Sequence, residues 1–97
     1  MKIEKGRDLS QRLTVEINNI IKNDYPLFTS KISKKFNLIP SSHLINGVNE
    51  SFQDFTKKKY TIGLEWDIWS GYIIVAKDKE SELLVNKIYD WLILEDL

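Results

Sequence analysis

His43 is the only histidine of the chain, and it directly follows Ser41 and Ser42. A serine, a histidine and an acid brought together in space can form the catalytic triad of a hydrolase. The G-x-S-x-G pattern of a strained nucleophile turn is absent, however, and the chain has no cysteine. A lone histidine beside serines that follow Pro40 is more typical of an ordinary loop. We therefore predict that the protein is not an enzyme and has no catalytic residue.

Glu65 and Asp67 are the best-placed pair of carboxylates for a metal ion. Residues two apart on a strand point to the same side, and carboxylates bind hard cations such as Mg²⁺. The spacing specifies no third ligand, and the calcium-loop, phosphate-loop and dinucleotide patterns are absent because the four glycines are isolated. We predict no metal and no cofactor, and we interpret the two acids as solvated.

The chain carries 14 basic and 14 acidic residues, so its net charge is zero. The charge is uneven: the segment through Lys59 carries a net +5 and the remainder a net −5. Six lysines of the first segment could face the phosphates of a nucleic acid: Lys31, Lys34, Lys35, Lys57, Lys58 and Lys59. A neutral total, only two arginines and no RNA-binding aromatic motif leave nucleic-acid binding as an alternative.

Trp69 lies among the acidic residues of the second segment. Tryptophan and tyrosine anchor many protein interfaces, and carboxylates around such an anchor steer a basic partner towards it. We predict a basic protein partner and a binding surface formed by Glu65, Asp67, Trp69, Tyr72, Glu80 and Glu82. The alternative is that Trp69 folds back over the sheet edge and that the acids only raise solubility.

The length of 97 residues and the hydrophobic fraction of 42% indicate a single domain spanning 1–97. The start, Met1 to Lys5, lacks the apolar core of a signal peptide. The longest apolar run, Tyr72 to Ala76, is far shorter than the ~20 residues of a membrane span. We predict a soluble cytoplasmic protein without membrane association.

Two segments have the periodicity of amphipathic helices. Leu9 to Tyr25 places five apolar residues on one helical face, with Asp8 as the cap and Pro26 as the end: Leu9, Leu13, Ile17, Ile20 and Ile21. Asp78 to Leu94 places Leu84, Ile88, Trp91 and Leu92 on one face and has acids in its first turn. We predict a helix over each segment.

A β-hairpin is predicted between them. From Tyr60 to Asp67 apolar and polar residues alternate, and the apolar run from Tyr72 follows. A loop from Asp67 to Gly71 pairs Trp66 with Tyr72, and by the same register Leu64 with Ile74 and Ile62 with Ala76, so that all six share one face. This register leaves Trp69 near the tip of the loop.

The segment from Leu27 to Lys59 allows several interpretations. Phe28, Ile32 and Phe36 favour a short helix, although an alternating strand also fits. Asn46-Gly47 is the best hairpin turn, but Asn49 could instead cap a short helix that carries Phe52 and Phe55. The predicted architecture is α+β, with N- and C-terminal amphipathic helices packed on one face of a three- to four-stranded antiparallel sheet.

Two segments together resemble the small immunity proteins that bacteria pair with nuclease toxins of the colicin and contact-dependent inhibition types. They are Glu65-Trp66-Asp67-Ile68-Trp69-Ser70-Gly71 and Lys77-Asp78-Lys79-Glu80-Ser81-Glu82-Leu83-Leu84. The resemblance is one of type, and it implies a stoichiometric inhibitor that blocks a basic toxin domain by shape and charge, without catalysis. Many such inhibitors are acidic overall, whereas this chain is neutral, so its acidic character would be limited to one face.

Two alternatives remain. The first is an orphan accessory protein, such as one from a mobile gene cassette, that acts as a homodimer through its sheet edge or its Trp69 surface. The second is a small nucleic-acid binder that uses the six lysines.

Overall fold

The computed structural model describes residues 2–95. The chain order is β1 (Ile3–Arg7), β2 (Leu13–Ile17), α1 (Tyr25–Phe36), β3 (Ile39–Pro40), β4 (Ile45–Asn46), β5 (Glu50–Lys57), β6 (Tyr60–Asp67), β7 (Gly71–Ala76) and α2 (Glu82–Glu95). All seven strands form one antiparallel sheet in the order β1-β2-β7-β6-β5-β3, and β4 pairs with the other half of β5. The class is therefore α+β, but the predicted sheet of three to four strands is wrong.

The predicted N-terminal helix over Leu9 to Tyr25 is also wrong. The chain there forms the β1–β2 hairpin, in which Ile3 pairs with Ile17 and Arg7 with Leu13. Asp8 caps the hairpin loop, because its side chain accepts hydrogen bonds from the backbone N–H groups of Ser10 and Arg12, at 2.9 Å each. An aspartate that satisfies nearby N–H groups stabilises a turn as well as a helix start, so the cap alone did not identify a helix.

The helix that does lie in the first half of the chain is α1, and Pro26 is in its first turn. Proline suits that position because its missing N–H group would be unpaired there in any case. The helix suggested by Phe28, Ile32 and Phe36 is confirmed, and it ends at Asn37 in the left-handed conformation. The short helix suggested for Phe52 and Phe55 is wrong, since both lie on β5.

The central hairpin has the predicted register. Trp66 pairs with Tyr72, Leu64 with Ile74 and Ile62 with Ala76, and the connection runs from Asp67 to Gly71. The predicted C-terminal helix is confirmed as α2, which begins at Glu82 rather than Asp78. Ser81 precedes it, and its hydroxyl accepts a hydrogen bond of 2.7 Å from the backbone N–H of Thr61, which attaches the helix start to β6.

Both helices pack on the same face of the sheet, so the core lies between one helical layer and one sheet layer. The ring of Phe36 on α1 meets that of Trp91 on α2 edge-on, with centroids 5.7 Å apart. The α2 side chains that fill the core are Leu84, Val85, Ile88 and Leu92. Within residues 2–95, neither helix is long and apolar enough to span a membrane.

Two buried tyrosines attach α1 to the sheet. The hydroxyl of Tyr25 donates a 2.6 Å hydrogen bond to the carbonyl of Leu64. The hydroxyl of Tyr72 shares one of 2.7 Å with Thr29. Burial raises the pKa of Tyr25 to about 12 and the pKa of Tyr72 well above its usual value, because a phenolate would lose its hydration there.

These pKa shifts predict alkaline unfolding. A tyrosine whose folded-state pKa exceeds its unfolded value of 10.0 contributes stability below that pH, and the contribution is lost as pH rises towards 12. Urea unfolding followed by circular dichroism across this range should show the free energy of unfolding falling steadily. Tyr25→Phe should show a smaller fall than the parent, and an equal fall in both would contradict the assignment to Tyr25.

Candidate protein-binding surface

The second face of the sheet carries no helix, and we call it the open face. The strand register identifies its residues, because side chains directly opposite each other in neighbouring strands share a face. Six carboxylates from four strands lie on it: Glu4, Glu16, Glu50, Asp54, Glu65 and Asp67.

One row of side chains crosses the whole open face. Paired positions link it from β1 through β2, β7, β6 and β5 to β4: Glu4, Glu16, Ile73, Glu65, Phe52 and Ile45. Five strand spacings of about 4.8 Å make the row roughly 24 Å long. Acidic and apolar side chains thus share one row, and Phe52 and Ile45 are among the exposed large hydrophobic residues.

Among residues 2–95, two lysines offset the six carboxylates, which leaves these side chains of the open face with a net charge of −4. Lys2 lies 3.4 Å from Glu4. Lys77 reaches both Asp54, at 3.3 Å, and Glu65, at 3.4 Å. Gly63 leaves room for the Lys77 stem, because a Cβ there would lie 3.0 Å from Lys77 Cε and 2.9 Å from Val75 Cγ1.

The negative charge of the open face affects the pKa of Glu16. Partial burial raises the pKa of its carboxyl, and the charges of Asp67 and Glu4 raise it further. A carboxylate whose charged form is disfavoured by its neighbours is a site where a cation would be stabilising. The acids of β1, β2 and β6 therefore act on one another across the open face.

An exposed apolar cluster lies at the end of the sheet where β6 turns into β7. We call it the loop-end patch, and it consists of Ile21, Val48, Ile68 and Trp69, which are 59, 87, 57 and 82% exposed. Hydrogen bonds join its three loops: the Lys22 ammonium donates to the carbonyls of Gly47 and Val48, and the Ile68 N–H donates to the Asn49 carbonyl at 3.0 Å. These exposed side chains thus stand on loops that are connected to one another.

The loop that carries Trp69 is held in a defined conformation. The Asp67 carboxylate accepts hydrogen bonds from the backbone N–H groups of Trp69, at 3.0 Å, and Ser70, at 2.6 Å. The loop ends at Gly71, whose φ of +78° is in the left-handed region. The indole of Trp69 therefore projects from a fixed turn without being covered by the chain's own helices.

The structure brings together three of the six residues predicted for the binding surface. Glu65 and Asp67 lie on the open face, and the Trp69 N–H donates a hydrogen bond to the Asp67 carboxylate. Tyr72 is fully buried in the core, so its assignment to a surface is corrected: position 72 belongs to the inward-facing set of β7.

Glu80 and Glu82 lie at the other end of β7, which separates them from Trp69 by roughly 20 Å, since its six residues rise about 3.3 Å each. Both are paired within the chain: Glu80 lies 2.9 Å from Lys59, and Glu82 pairs with Arg7. The Arg7 hydrogen bond lowers the pKa of Glu82. These two acids do not form one surface with Trp69, which corrects that part of the prediction.

The remaining candidate chemistry can be located in the structure. Ser42 Oγ accepts a 2.9 Å hydrogen bond from the Asp54 N–H and donates to the His43 carbonyl at 3.3 Å, so its contacts are with the backbone. Within residues 2–95, no group of three or more His, Asp or Glu side chains is arranged to hold a metal ion.

The two groups of lysines lie near the same end of the sheet. Lys31, Lys34 and Lys35 are exposed on α1, whose end leads into β3, and β3 pairs with β5 just before Lys57. Within the described residues, two of the six lysines have partners: Lys59 pairs with Glu80, and the Lys31 ammonium lies 5.8 Å from the centre of the Trp91 ring.

The sequence interpretation missed several surface residues. Glu4, Glu16, Glu50 and Asp54 lie in the segment with net positive charge, and only strand pairing brings them beside Glu65. The alternation of Leu13, Val15 and Ile17 with Thr14 and Glu16 was the available signal for β2. Val48 and Ile21 sit in loops, for which the sequence contains no comparable pattern.

Comparison of the chain with models of known protein families found no match. Searches of curated proteins and of solved structures found no match either. The resemblance to immunity proteins is thus a resemblance of type alone.

Proposed function

We propose that this protein is a non-enzymatic protein-binding module, of the kind represented by the immunity proteins, which inhibits a basic toxin domain by covering it. The observation that carries the proposal is the exposed indole of Trp69 on a hydrogen-bonded turn beside an acidic sheet face. A large aromatic side chain outside the core needs a reason, and a pocket in a partner supplies one.

The energetics favour Trp69 as the anchor. Its loop is already ordered by Asp67, so binding would immobilise little additional backbone. The neighbouring side chains of the loop-end patch would exclude water around the indole, as the surroundings of an energetic hot spot do. Asp67 links this patch to the carboxylates of the open face, which would accelerate association with a basic partner.

The homodimer alternative is weaker at the β1 edge. We consider two β1 strands paired antiparallel with their sheet faces aligned. One register places Lys5 opposite Lys5, a second places Glu4 opposite Glu4, and a third places Lys5 opposite Arg7. Like charges directly opposite one another destabilise a strand pair. A symmetric dimer through this edge is therefore disfavoured by each of these registers.

The nucleic-acid alternative relies on six lysines, some of which already have partners within the chain. Lys59 pairs with Glu80, and a hydrogen bond to that carboxylate raises the lysine pKa. Phosphate binding there would compete with an existing ion pair. The acidic open face would in addition repel a polyanion that extended over it.

Trp69→Ala tests the proposal. We expect the free energy of unfolding to change by no more than about 0.5 kcal/mol, since the indole is exposed. We expect the affinity for the toxin domain to fall at least about tenfold. The probe is the purified C-terminal domain of the protein encoded immediately upstream of the gene, with affinity measured by biolayer interferometry and protection by growth of co-expressing cells.

Trp66→Ala is the matched control. Its ring packs on the core from the helix-covered face and its indole N–H donates a 2.8 Å hydrogen bond to the Ile20 carbonyl, so we expect a loss of about 3 kcal/mol in stability. If Trp69→Ala binds the toxin domain with unchanged affinity, Trp69 does not anchor the interface. A probe that is neither toxic nor bound by the parent would contradict the immunity-type function.

A further inference from the structure

We propose that the open face is the docking surface for a positively charged protein, whose lysines and arginines meet the row of acids from β1 to β6 while Trp69 anchors one end of the contact. This inference rests on the proposed function and specifies the part of the molecule that it uses. It also specifies the chemistry of the partner: a basic protein surface.

The open face has the composition of an interface. Its row places Ile73 between Glu16 and Glu65, and the exposed ring of Phe52 follows on β5. Interfaces combine such apolar contacts at their centre with polar groups around them. A row of roughly 24 Å is also comparable to the width of a contact of about 800 Å² per partner.

The net negative charge of the open face determines which kind of partner can bind it. A second copy of this chain would present the same net −4 and would be repelled. The phosphates of a nucleic acid and the anionic lipids of a membrane carry the same sign and would be repelled as well. A basic protein is complementary in charge, and its side chains can reach carboxylates on β1 and β2 and, across β7, on β6 and β5.

Most of these carboxylates retain capacity for a partner. Lys77 is shared between Asp54 and Glu65, and Lys2 pairs with Glu4. Glu16 lies between Glu4 and Ile73 in the row. Burial raises the pKa of its carboxyl, and repulsion from Asp67 and Glu4 raises it further. A cation placed beside Glu16 would relieve that repulsion.

Asp67 connects the docking face to the anchor. Its Oδ1 accepts both N–H groups of the Trp69 turn, and position 67 pairs with Glu50 on the open face. One residue of the open face, next but one to Glu65 of the row, thus orders the turn that carries the anchor. A partner that inserts a pocket over the indole would extend its neighbouring surface across the row.

Decalysine peptide is the probe for this face, and the reporter is the ¹H–¹⁵N spectrum of the labelled full chain. We expect amide shifts to concentrate in β1, β2 and β6 and to vanish in high salt, because salt screens exposed charges. In the double variant Glu4→Gln, Glu16→Gln, the dissociation constant should rise about fivefold, as expected for the loss of two exposed ion pairs.

The matched control is Glu80→Gln, Asp90→Gln, which removes the same number of charges from positions outside the open face. We expect its dissociation constant for decalysine to stay within about twofold of the parent value. Equal losses in the two double variants, or shifts spread evenly over both helices, would overturn the inference. Thermal melts of both variants check that the fold is retained, and single Glu65→Gln provides a second test on a different strand.

The two proposals fail in distinguishable ways. Decalysine has no pocket for an indole, so its binding tests the open face independently of Trp69. If Trp69→Ala loses affinity for the toxin domain while Glu4→Gln, Glu16→Gln binds decalysine and the toxin domain as the parent does, the proposed function stands and this inference is wrong. If decalysine maps to the open face but Trp69→Ala retains full affinity for the toxin domain, the anchor role of Trp69 is wrong.

Discussion

Gly71→Ala is expected to lower the free energy of unfolding by about 3 kcal/mol, although it adds only one methyl group. The φ angle of Gly71 is +78°, a conformation that costs an L-residue with a side chain about 1–2 kcal/mol. An added Cβ would also lie 2.5 Å from the Ile17 carbonyl oxygen and 2.9 Å from Asn18 Cα. These are backbone atoms, so relief would require β7 to separate from the end of β2. Urea unfolding of the variant measures the loss.

Gly6→Ala is the matched control for this prediction. Gly6 lies on β1, and a Cβ there would meet no atom within 4 Å. We expect its stability to remain within about 0.5 kcal/mol of the parent. Equal stability of the two variants would show that the approach of β7 to β2 at Gly71 is looser than the structure describes.

The central hairpin was predictable because two independent constraints agreed. Alternation from Tyr60 to Asp67 indicated a strand, and the requirement that Trp66, Leu64 and Ile62 share a face with their partners selected the loop length. The helix α2 was predictable for a similar reason, since its apolar stripe and the acids before and within its first turn indicate the same element.

The N-terminal half was harder because its apolar residues satisfy two periods at once. Leu13 and Ile17 are four apart, which fits a helix, and with Val15 between them they also fit the inward face of a strand. A short strand offers few residues to distinguish the two. Pairing with β1 and β7 decides between them, and that pairing joins Ile17 to Tyr72, 55 positions away in the chain.

The proposed binding surface was hard to predict for a related, electrostatic reason. Summing charge along the chain assigned acidity to the segment from Tyr60 onward, which includes Glu65 and Asp67. The fold adds Glu4 and Glu16 from the basic segment, because antiparallel pairing through β7 aligns them with Glu65. Charge on a sheet face depends on strand order, which no local sequence pattern specifies.

Ile17→Asp is expected to have the largest effect on stability, with a loss of about 4 kcal/mol or more. Ile17 is fully buried on β2, opposite Tyr72, and an aspartate there would place an unpaired charge in the core. For a domain of this size, a loss of about 4 kcal/mol lowers the melting temperature by roughly 15 °C or more. A thermal melt followed by circular dichroism measures it.

Leu9→Asp shows whether the stability loss in Ile17→Asp arises because Ile17 lies on a strand or because it lies on a helix. A helix over Leu9 to Tyr25 would place Leu9 on the same buried face as Leu13 and Ile17, so an aspartate at either end of the stripe would be costly. In the structure Leu9 is fully exposed in the β1–β2 loop, and its side chain contributes no core contact. We therefore expect Leu9→Asp to melt within about 2 °C of the parent, as exposed substitutions do. Large losses of thermal stability in both variants would support a helix over Leu9 to Tyr25. A loss confined to Ile17→Asp would support the β1–β2 hairpin.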